Sequence, residues 1–362
     1  MKKKLFFKVS YLSLISLFLF GCSNVPDPNL KDYIVTMDWQ ENFTICTLND
    51  IHLSVQSNLK EEFEYLENVI YSRAYLNDDA ANKMDYAPDL VVINGDTFMT
   101  ANKYVVKEFF KFMDSLKIPY AYTYGNHDFQ GQYSKTFLMD QISSAKYCIV
   151  KNPKDNVFGD SNYVVNIKSG SFLKWQLYFF DSNTYNGFGY DRIHDDQVDW
   201  YEKQVKLANK EVSKIIPSMS FFHIPTEEFN EAWKSIGNKT RFGKDDTTGS
   251  IWHMEEKVSC SGLKSNLYEK MQELRSTVSM IVAHDHINFT DWHYDKNNNG
   301  HDIRLIFGIK TGRGIYHNPN LMGCVFYTLS DGNNTFDLLR VNAKYDGTYR
   351  IITDEMLLGG SK

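Results

Sequence analysis

Six times along the chain an apolar run ends in a cluster of polar residues: "FTICTLND" (43–50), "DLVVINGD" (89–96), "IPYAYTYGNHD" (118–128), "WQLYFFDSN" (175–183), "SMSFFHIP" (218–225) and "VSMIVAHDH" (278–286). Runs of this length, rich in β-branched and aromatic residues, read as strands covered on both faces. Stretches with helical spacing separate the first three. Phe63, Leu66 and Ile70 share one face of a helix predicted around 60–75; Val105, Phe109, Phe112, Met113 and Leu116 share one face of a helix predicted over 103–116. The order β-α-β-α-β calls for a layered α/β fold whose polar strand ends gather at one edge.

Beyond residue 300, "DIRLIFGI", "GCVFYTL" and "TFDLLRVNA" add strands with more alternation. A purely parallel sheet does not accommodate them. The expected architecture is therefore a four-layer α/β/β/α sandwich, two mixed sheets flanked by helices, forming one domain over 41–355. The polar, glycine-bearing stretch 235–262 is expected as an insertion lying over one face. Residues 22–40, with two prolines, read as a tether.

The first 21 residues depart from this pattern. Four lysines precede an apolar run from Val9 to Phe20, and Gly21 and Cys22 follow it. These are the charged, apolar and small-residue regions of a secretory signal, too short for a comfortable membrane span. "LFGC" resembles the bacterial lipobox, which implies a lipid on Cys22 and a mature chain anchored outside the membrane. Without Lys2, Lys3, Lys4 and Lys8, 35 basic residues face 45 acidic ones. That balance argues against a protein that grips nucleic acid by its general surface. The remaining cysteines, at 46, 148, 260 and 324, are widely spaced and form no disulfide framework; Cys46, inside a predicted strand, reads as a small buried hydrophobe.

The strand ends carry the chemistry. "DIH" supplies Asp50 and His52, "GD" supplies Asp96, "GNHD" supplies Asn126, His127 and Asp128, "FFHIP" supplies His223, and "AHDH" supplies His284 and His286. Mixed carboxylate, amide and imidazole donors suit divalent first-row cations such as Mn²⁺, Fe²⁺ or Zn²⁺. Two such ions about 3.5–4 Å apart can hold an attacking hydroxide and phosphoryl oxygens together. A lone histidine at a strand end is more often a hydrogen-bonded surface residue. The weight here comes from five motifs in order, each after an apolar run.

In that order the motifs D-x-H, G-D, G-N-H-D, H and H-x-H resemble those of the calcineurin-like metallophosphoesterases, over residues 43 to about 290. "YFFDSNTY", "FFHIP" and "AHDHINF" resemble the purple-acid-phosphatase-like branch that lacks the charge-transfer tyrosine. The resemblance implies one metal on Asp50, His52 and His286, a second on Asn126, His223 and His284, and Asp96 bridging them. It implies that His127 faces the leaving-group oxygen and that Asp128 orients the His127 ring. Met99 stands where relatives carry Asp or Tyr, which implies a colourless holoenzyme. Ala283 replaces the usual glycine before H-x-H, a change the turn tolerates only if the backbone there avoids positive φ. Gly125 is expected to permit the sharp exit from its strand.

The implied activity is hydrolysis of phosphate esters outside the membrane, with phosphomonoesters favoured, acting on a small molecule or a nucleotide. It would need two divalent cations and no obligate protein partner. A phosphodiesterase or nuclease on the same site and a non-catalytic binding lipoprotein on the same scaffold are the competing readings. Arg313, between glycines in "KTGRGIY", is a further candidate for phosphate contact, a solvated loop arginine being the plainer reading. Asp181 reads as structural, and His194, His253, His293, His301 and His317 match no ligand motif.

Overall fold

The computed structural model describes residues 28–153, 157–236 and 241–359. Cys22 and the expected signal segment lie outside the described residues. Among the described residues, fifteen strands form two mixed sheets. The smaller runs in the order β15 (Tyr349–Ile351), β14 (Phe336–Ala343), β13 (Gly323–Leu329), β2 (Thr44–Leu48), β3 (Leu90–Asn94) and β4 (Tyr120–Thr123). The larger runs β1 (Ile34–Asp38), β5 (Tyr163–Ser169), β6 (Phe172–Phe179), β7 (Ser218–Phe221), β10 (Thr277–Val282), β12 (Ile303–Phe307), β11 (Asn288–Tyr294), β9 (Ser250–Met254) and β8 (Phe242–Asp245).

The expected four layers are present, and side-chain alternation shows why the strands look uniformly apolar in sequence. In β3, Leu90 and Val92 enter the core between the sheets, where they meet Leu177, Met219, Phe221 and Ile281 of the larger sheet. Val91 and Ile93 point the other way, onto α1 (Leu59–Ile70), α3 (Lys103–Leu116) and α4 (Lys135–Ser144). On the far side, Tyr178, Met280, Val282 and Phe307 pack against α5 (Asp195–Val212), α6 (Glu227–Ser235) and α7 (Leu267–Leu274). The central strands of both sheets are covered on both faces, so they have no polar face to alternate. The helix predicted over 103–116 has those bounds; Asn102 caps it by accepting from the amides of Tyr104 and Val105, and Lys117 ends it at φ 58°. The helix predicted over 60–75 divides at Tyr71 into α1 and α2 (Ser72–Leu76).

Two segments are more ordered than the sequence suggests. Within the expected tether, Tyr33 is buried beside Trp200, and β1 pairs in parallel with β5. Within 235–262, β8 and β9 form a hairpin that extends the larger sheet, β9 pairing with β11. A β-edge accepts any strand that can complete its ladder, and that pairing outweighs local polarity. No helix among the described residues is long and apolar enough to cross a membrane.

β2, β3 and β4 are parallel neighbours, as are β6, β7 and β10. Their carboxyl ends meet where the two sheets adjoin. There Asn94 Nδ2 reaches the carbonyl of Ile281 and the His284 amide reaches Asp50 Oδ2.

Candidate metal centre

The loops leaving β2 and β3 stay paired beyond the strands. The amides of Asp50, His52 and Leu53 donate to the carbonyls of Gly95, Asp96 and Thr97 at 3.2, 3.0 and 2.8 Å. Asp50 (φ 51°), His52 (φ 56°), Asp96 (φ 52°) and His284 (φ 80°) all take left-handed backbone. Each such residue costs on the order of 1–3 kcal/mol. Four of the expected ligands therefore sit in strained conformations that turn their side chains into one point.

Two clusters result. Asp50, His52 and His286 bring one donor atom each within 4.8 Å of one another, and so do Asp96, His223 and His284. In the first, His52 Nε2 lies 3.1 Å from His286 Nε2, and Asp50 Oδ1 lies 3.8 and 3.5 Å from these two nitrogens. In the second, Asp96 Oδ2 is 3.2 Å from His223 Nε2. The same Asp96 oxygen is 3.9 Å from His52 Nε2, so it stands between the clusters. Asp50 Oδ1 is 3.9 Å from His223 Nε2 and also lies between them.

Backbone carbonyls set the imidazoles. His223 Nδ1 meets the Asn94 carbonyl at 3.0 Å, and His286 Nδ1 meets the Tyr316 carbonyl at 3.2 Å. A donor bond at Nδ1 fixes the tautomer with a lone pair on Nε2, the arrangement of metal-bound histidines. The donor atoms also pass a stricter test. Asp50 Oδ1, Asn126 Oδ1, His223 Nε2 and His284 Nε2 are buried with no hydrogen-bond partner. Orphaned polar atoms are costly in a protein interior, and a pair of divalent cations would satisfy all four. The residues present fit the metals that the motifs imply.

The electrostatics follow from crowding. Burial would raise the Asp50 carboxyl, but the nearby imidazoles of His286 and His223, with Lys310, hold it well below the usual carboxylate range. Burial would lower His223, yet the carboxylate of Asp96 holds it up at about 9. Burial and the charge on His223 push His284 down to about 3. Cations on these ligands would displace any proton from His223 Nε2 and leave the lone pair that the bond at Nδ1 sets up.

The remaining candidates fall into different places. His127 is half-buried, its amide donating to Asp96 Oδ1 at 2.8 Å and its ring 5.5 Å from that of His52. Gln130 Oε1, 2.7 Å from Nδ1, orients the ring. Asp128 does not perform that task. It is fully buried, and its carboxylate accepts from the amides of Asp96, Phe98 and Gly125 at 3.1, 3.0 and 2.8 Å. It ties the loop after β4 to the loop after β3, because three amides left unpaired by the turns need an acceptor. Burial, with the charge of Asp96 behind it, pushes its carboxyl up to about 7.

Gly125 is required for a different reason than expected. Its φ is not positive; a Cβ there would lie 2.1 Å from Asp96 Oδ1. Ala283 also avoids positive φ, which falls instead on His284, so the missing glycine costs nothing at that position. Arg313 is not a free phosphate contact. Its guanidinium binds Glu61 and Glu62 at 2.8 and 3.0 Å and lies over Tyr345. It lines a cleft of about 260 Å³ together with residues 51–54 and 56–58.

Several residues here carried no motif. Lys310 is buried and donates to the Asp50 carbonyl at 2.6 Å, desolvation lowering its amine to about 8. Tyr185 Oη lies 3.4 Å from Asn126 Nδ2, the Tyr190 ring is 4.5 Å from that of His284, and Tyr316 is 4.5 Å from His286. None of these was singled out in the sequence, although Tyr185 ends "YFFDSNTY" and Lys310 and Tyr316 lie within "KTGRGIY".

Residues 43–288 match the calcineurin-like phosphoesterase family. The chain is 26% identical over 229 residues to probable inactive purple acid phosphatase 29 of Arabidopsis thaliana, covering 56% of this chain and 55% of that protein. It is 24% identical over 280 residues to probable inactive purple acid phosphatase 28 of the same plant, covering 68% and 66%. To phosphatase DCR2 of Saccharomyces cerevisiae it is 29% identical over 218 residues, covering 56% and 36%. The aligned part thus spans from about a third to two thirds of the length of these curated relatives. The crystal structure of TT1561 of Thermus thermophilus aligns over 82% of this chain and 97% of its own, at 11% identity and a TM-score of 0.40. With the family's motifs matched over more than half of its length, the chain belongs to the calcineurin-like phosphoesterase family.

Proposed function

We propose that this protein hydrolyses phosphate esters at a dinuclear metal centre outside the membrane, with phosphomonoesters as its preferred substrates. One observation carries the reading: buried donor atoms from five separate loops converge, four of them unpaired, on one point beside the half-buried ring of His127. Bound there, divalent cations would supply the Lewis acidity that ionises a water near neutral pH and neutralises phosphoryl charge. Asp50, His52 and His286 would hold one, Asn126, His223 and His284 the other, with Asp96 shared. Water adds to phosphorus, giving a proton to solvent, as the ester P–O bond breaks; the leaving oxygen takes a proton from His127 Nε2, which regains one from solvent. Gln130 holds that ring in place. The phosphatase name of the yeast relative supports the monoester preference. The signal-like N-terminus with Cys22 supports a lipid-anchored, extracytoplasmic location.

The names of the two plant relatives favour a second reading, a binding protein on a disused scaffold. The complete ligand set argues against it, since disuse would erode ligands first. Metal analysis of purified residues 23–362, with hydrolysis of nitrophenyl phosphate and bis-nitrophenyl phosphate under added Mn²⁺, decides. Near two metals per chain and metal-dependent turnover, faster on the monoester, is the expected result. Well-folded protein with no metal and no turnover would leave the binding reading standing.

A further inference from the structure

The segment between β6 and α5 contains a hairpin that the metal centre does not account for. Tyr185 and Tyr190 bridge across it, with rings 5.2 Å apart and 27° from parallel. The Asn186 amide donates to the Gly189 carbonyl and that of Asp191 to the Thr184 carbonyl, both at 3.1 Å. Asn186 Oδ1 accepts from the Phe188 amide at 3.0 Å, while Gly187 (φ 88°) and Gly189 (φ 148°) allow the reversal. The tip is stapled by its own backbone, and what it presents is Phe188, 96% exposed.

A single exposed phenylalanine needs no explanation on most surfaces. This one stands at the tip of a hairpin whose foot carries two tyrosines beside the metal ligands. At the foot of the hairpin, Tyr190 packs edge-on against His284 and the Tyr185 hydroxyl meets the Asn126 amide. The tip lies three residues beyond Tyr185, so at most about 10 Å of chain separates Phe188 from the tyrosine that touches the site. Tyr185 is itself half exposed at 51%. Cationic groups that would favour a sugar or acidic leaving group are absent from the hairpin; its side chains from 184 to 190 are aromatic or neutral.

We propose that this hairpin is a stacking wall for the leaving group, and that the preferred substrates are phosphate esters whose alcohol carries a planar aromatic ring. The inference rests on the phosphoesterase reading and names the substrate class of the same site. A ring extending from a phosphoryl group at the ligands would pass Tyr185 at the foot of the hairpin, with Phe188 no more than about 10 Å of chain beyond it. Aromatic faces recognise such rings with little demand on their hydrogen-bonding pattern.

The test compares adenosine 5′-monophosphate with ribose 5-phosphate on the metal-loaded protein. The leaving oxygen is the same, and only the base differs. The wild type should show a kcat/KM ratio above about tenfold in favour of the nucleotide, and Phe188→Ala should cut that ratio by about tenfold, the size of one lost base–aromatic stack. Phe188→Trp should keep it. Phenyl phosphate against ethyl phosphate forms a second arm: a Phe188→Ala effect confined to this pair assigns the wall to aryl esters rather than nucleotides. Turnover of all four esters with ratios that Phe188→Ala does not move overturns the inference and leaves the phosphoesterase reading intact. Turnover of none of them overturns both this inference and the phosphomonoester reading.

Discussion

The two halves of the centre are built to different plans. Around Asp50, His52 and His286 the ligands are 1%, 3% and 6% exposed, His52 and His286 face one another at 3.1 Å, and half-exposed Tyr316 is the aromatic neighbour that reaches solvent. Behind them Lys310 holds the Asp50 carbonyl and the Tyr316 carbonyl holds the His286 ring. Around Asp96, Asn126, His223 and His284 the ligands are equally buried, but their neighbours reach solvent: His127 on one side, Tyr185 and Tyr190 on the other. The first half is backed by buried Lys310 and has Tyr316 as its aromatic neighbour. The second half is where groups able to meet a substrate come within reach of one.

Asp96→Asn attacks what the halves share. Its Oδ2 stands between the clusters, 3.2 Å from His223 and 3.9 Å from His52. Both metals should be lost or weakened, and turnover should fall by at least about 10³-fold, since several kcal/mol of charge stabilisation disappears. Metal retention with normal turnover would falsify the shared role. His286→Ala should separate the halves: metal content falls from near two to near one, read by elemental analysis, because the second cluster keeps its own donors. Loss of both ions would show that the halves do not fill independently. His127→Ala separates them in the opposite sense. Metal content should hold, while kcat falls by about 10²–10³-fold, the usual worth of a positioned general acid. A parallel loss of metal would place His127 among the ligands instead.

The contrast also explains what the sequence discloses. Every residue expected to hold a metal is found in one of the clusters or beside them, because ligands must leave buried strands at fixed points and so interrupt apolar runs. The four layers were legible for the same reason: continuous runs such as "LVVIN" mean two covered faces. What supports the ligands was not legible. His286 is oriented by the Tyr316 carbonyl, His223 by that of Asn94, and the loop at Asp96 by amides bound to Asp128. A backbone carbonyl carries no residue-type signal. Asp128 was visible as a residue, but not as the acceptor for three amides, because that demand arises only once the turns at Asp96 and Gly125 exist. Arg313 lay in a motif-like setting, yet Glu61 and Glu62 on α1 are 252 and 251 residues away in sequence and reach it only through the fold.

The finest distinction between the halves is the Tyr185 hydroxyl. At 3.4 Å from Asn126 Nδ2 it is a weak partner, but it accepts from the amide nitrogen and so favours the rotamer that turns Oδ1 inward. That oxygen is the one left buried and unpaired. Tyr185→Phe should therefore loosen the second cluster alone. Supports of this kind are worth about 10–100-fold in metal affinity when strong, so a bond of this length should be worth a few-fold. A metal titration resolving two sites should show the weaker site shift by about threefold and the other stay put. Equal shifts at both sites would mean the hydroxyl acts on the whole centre through Asp96. No shift would mean that Asn126 holds its orientation without help, its amide fixed by the loop that Asp128 already ties down.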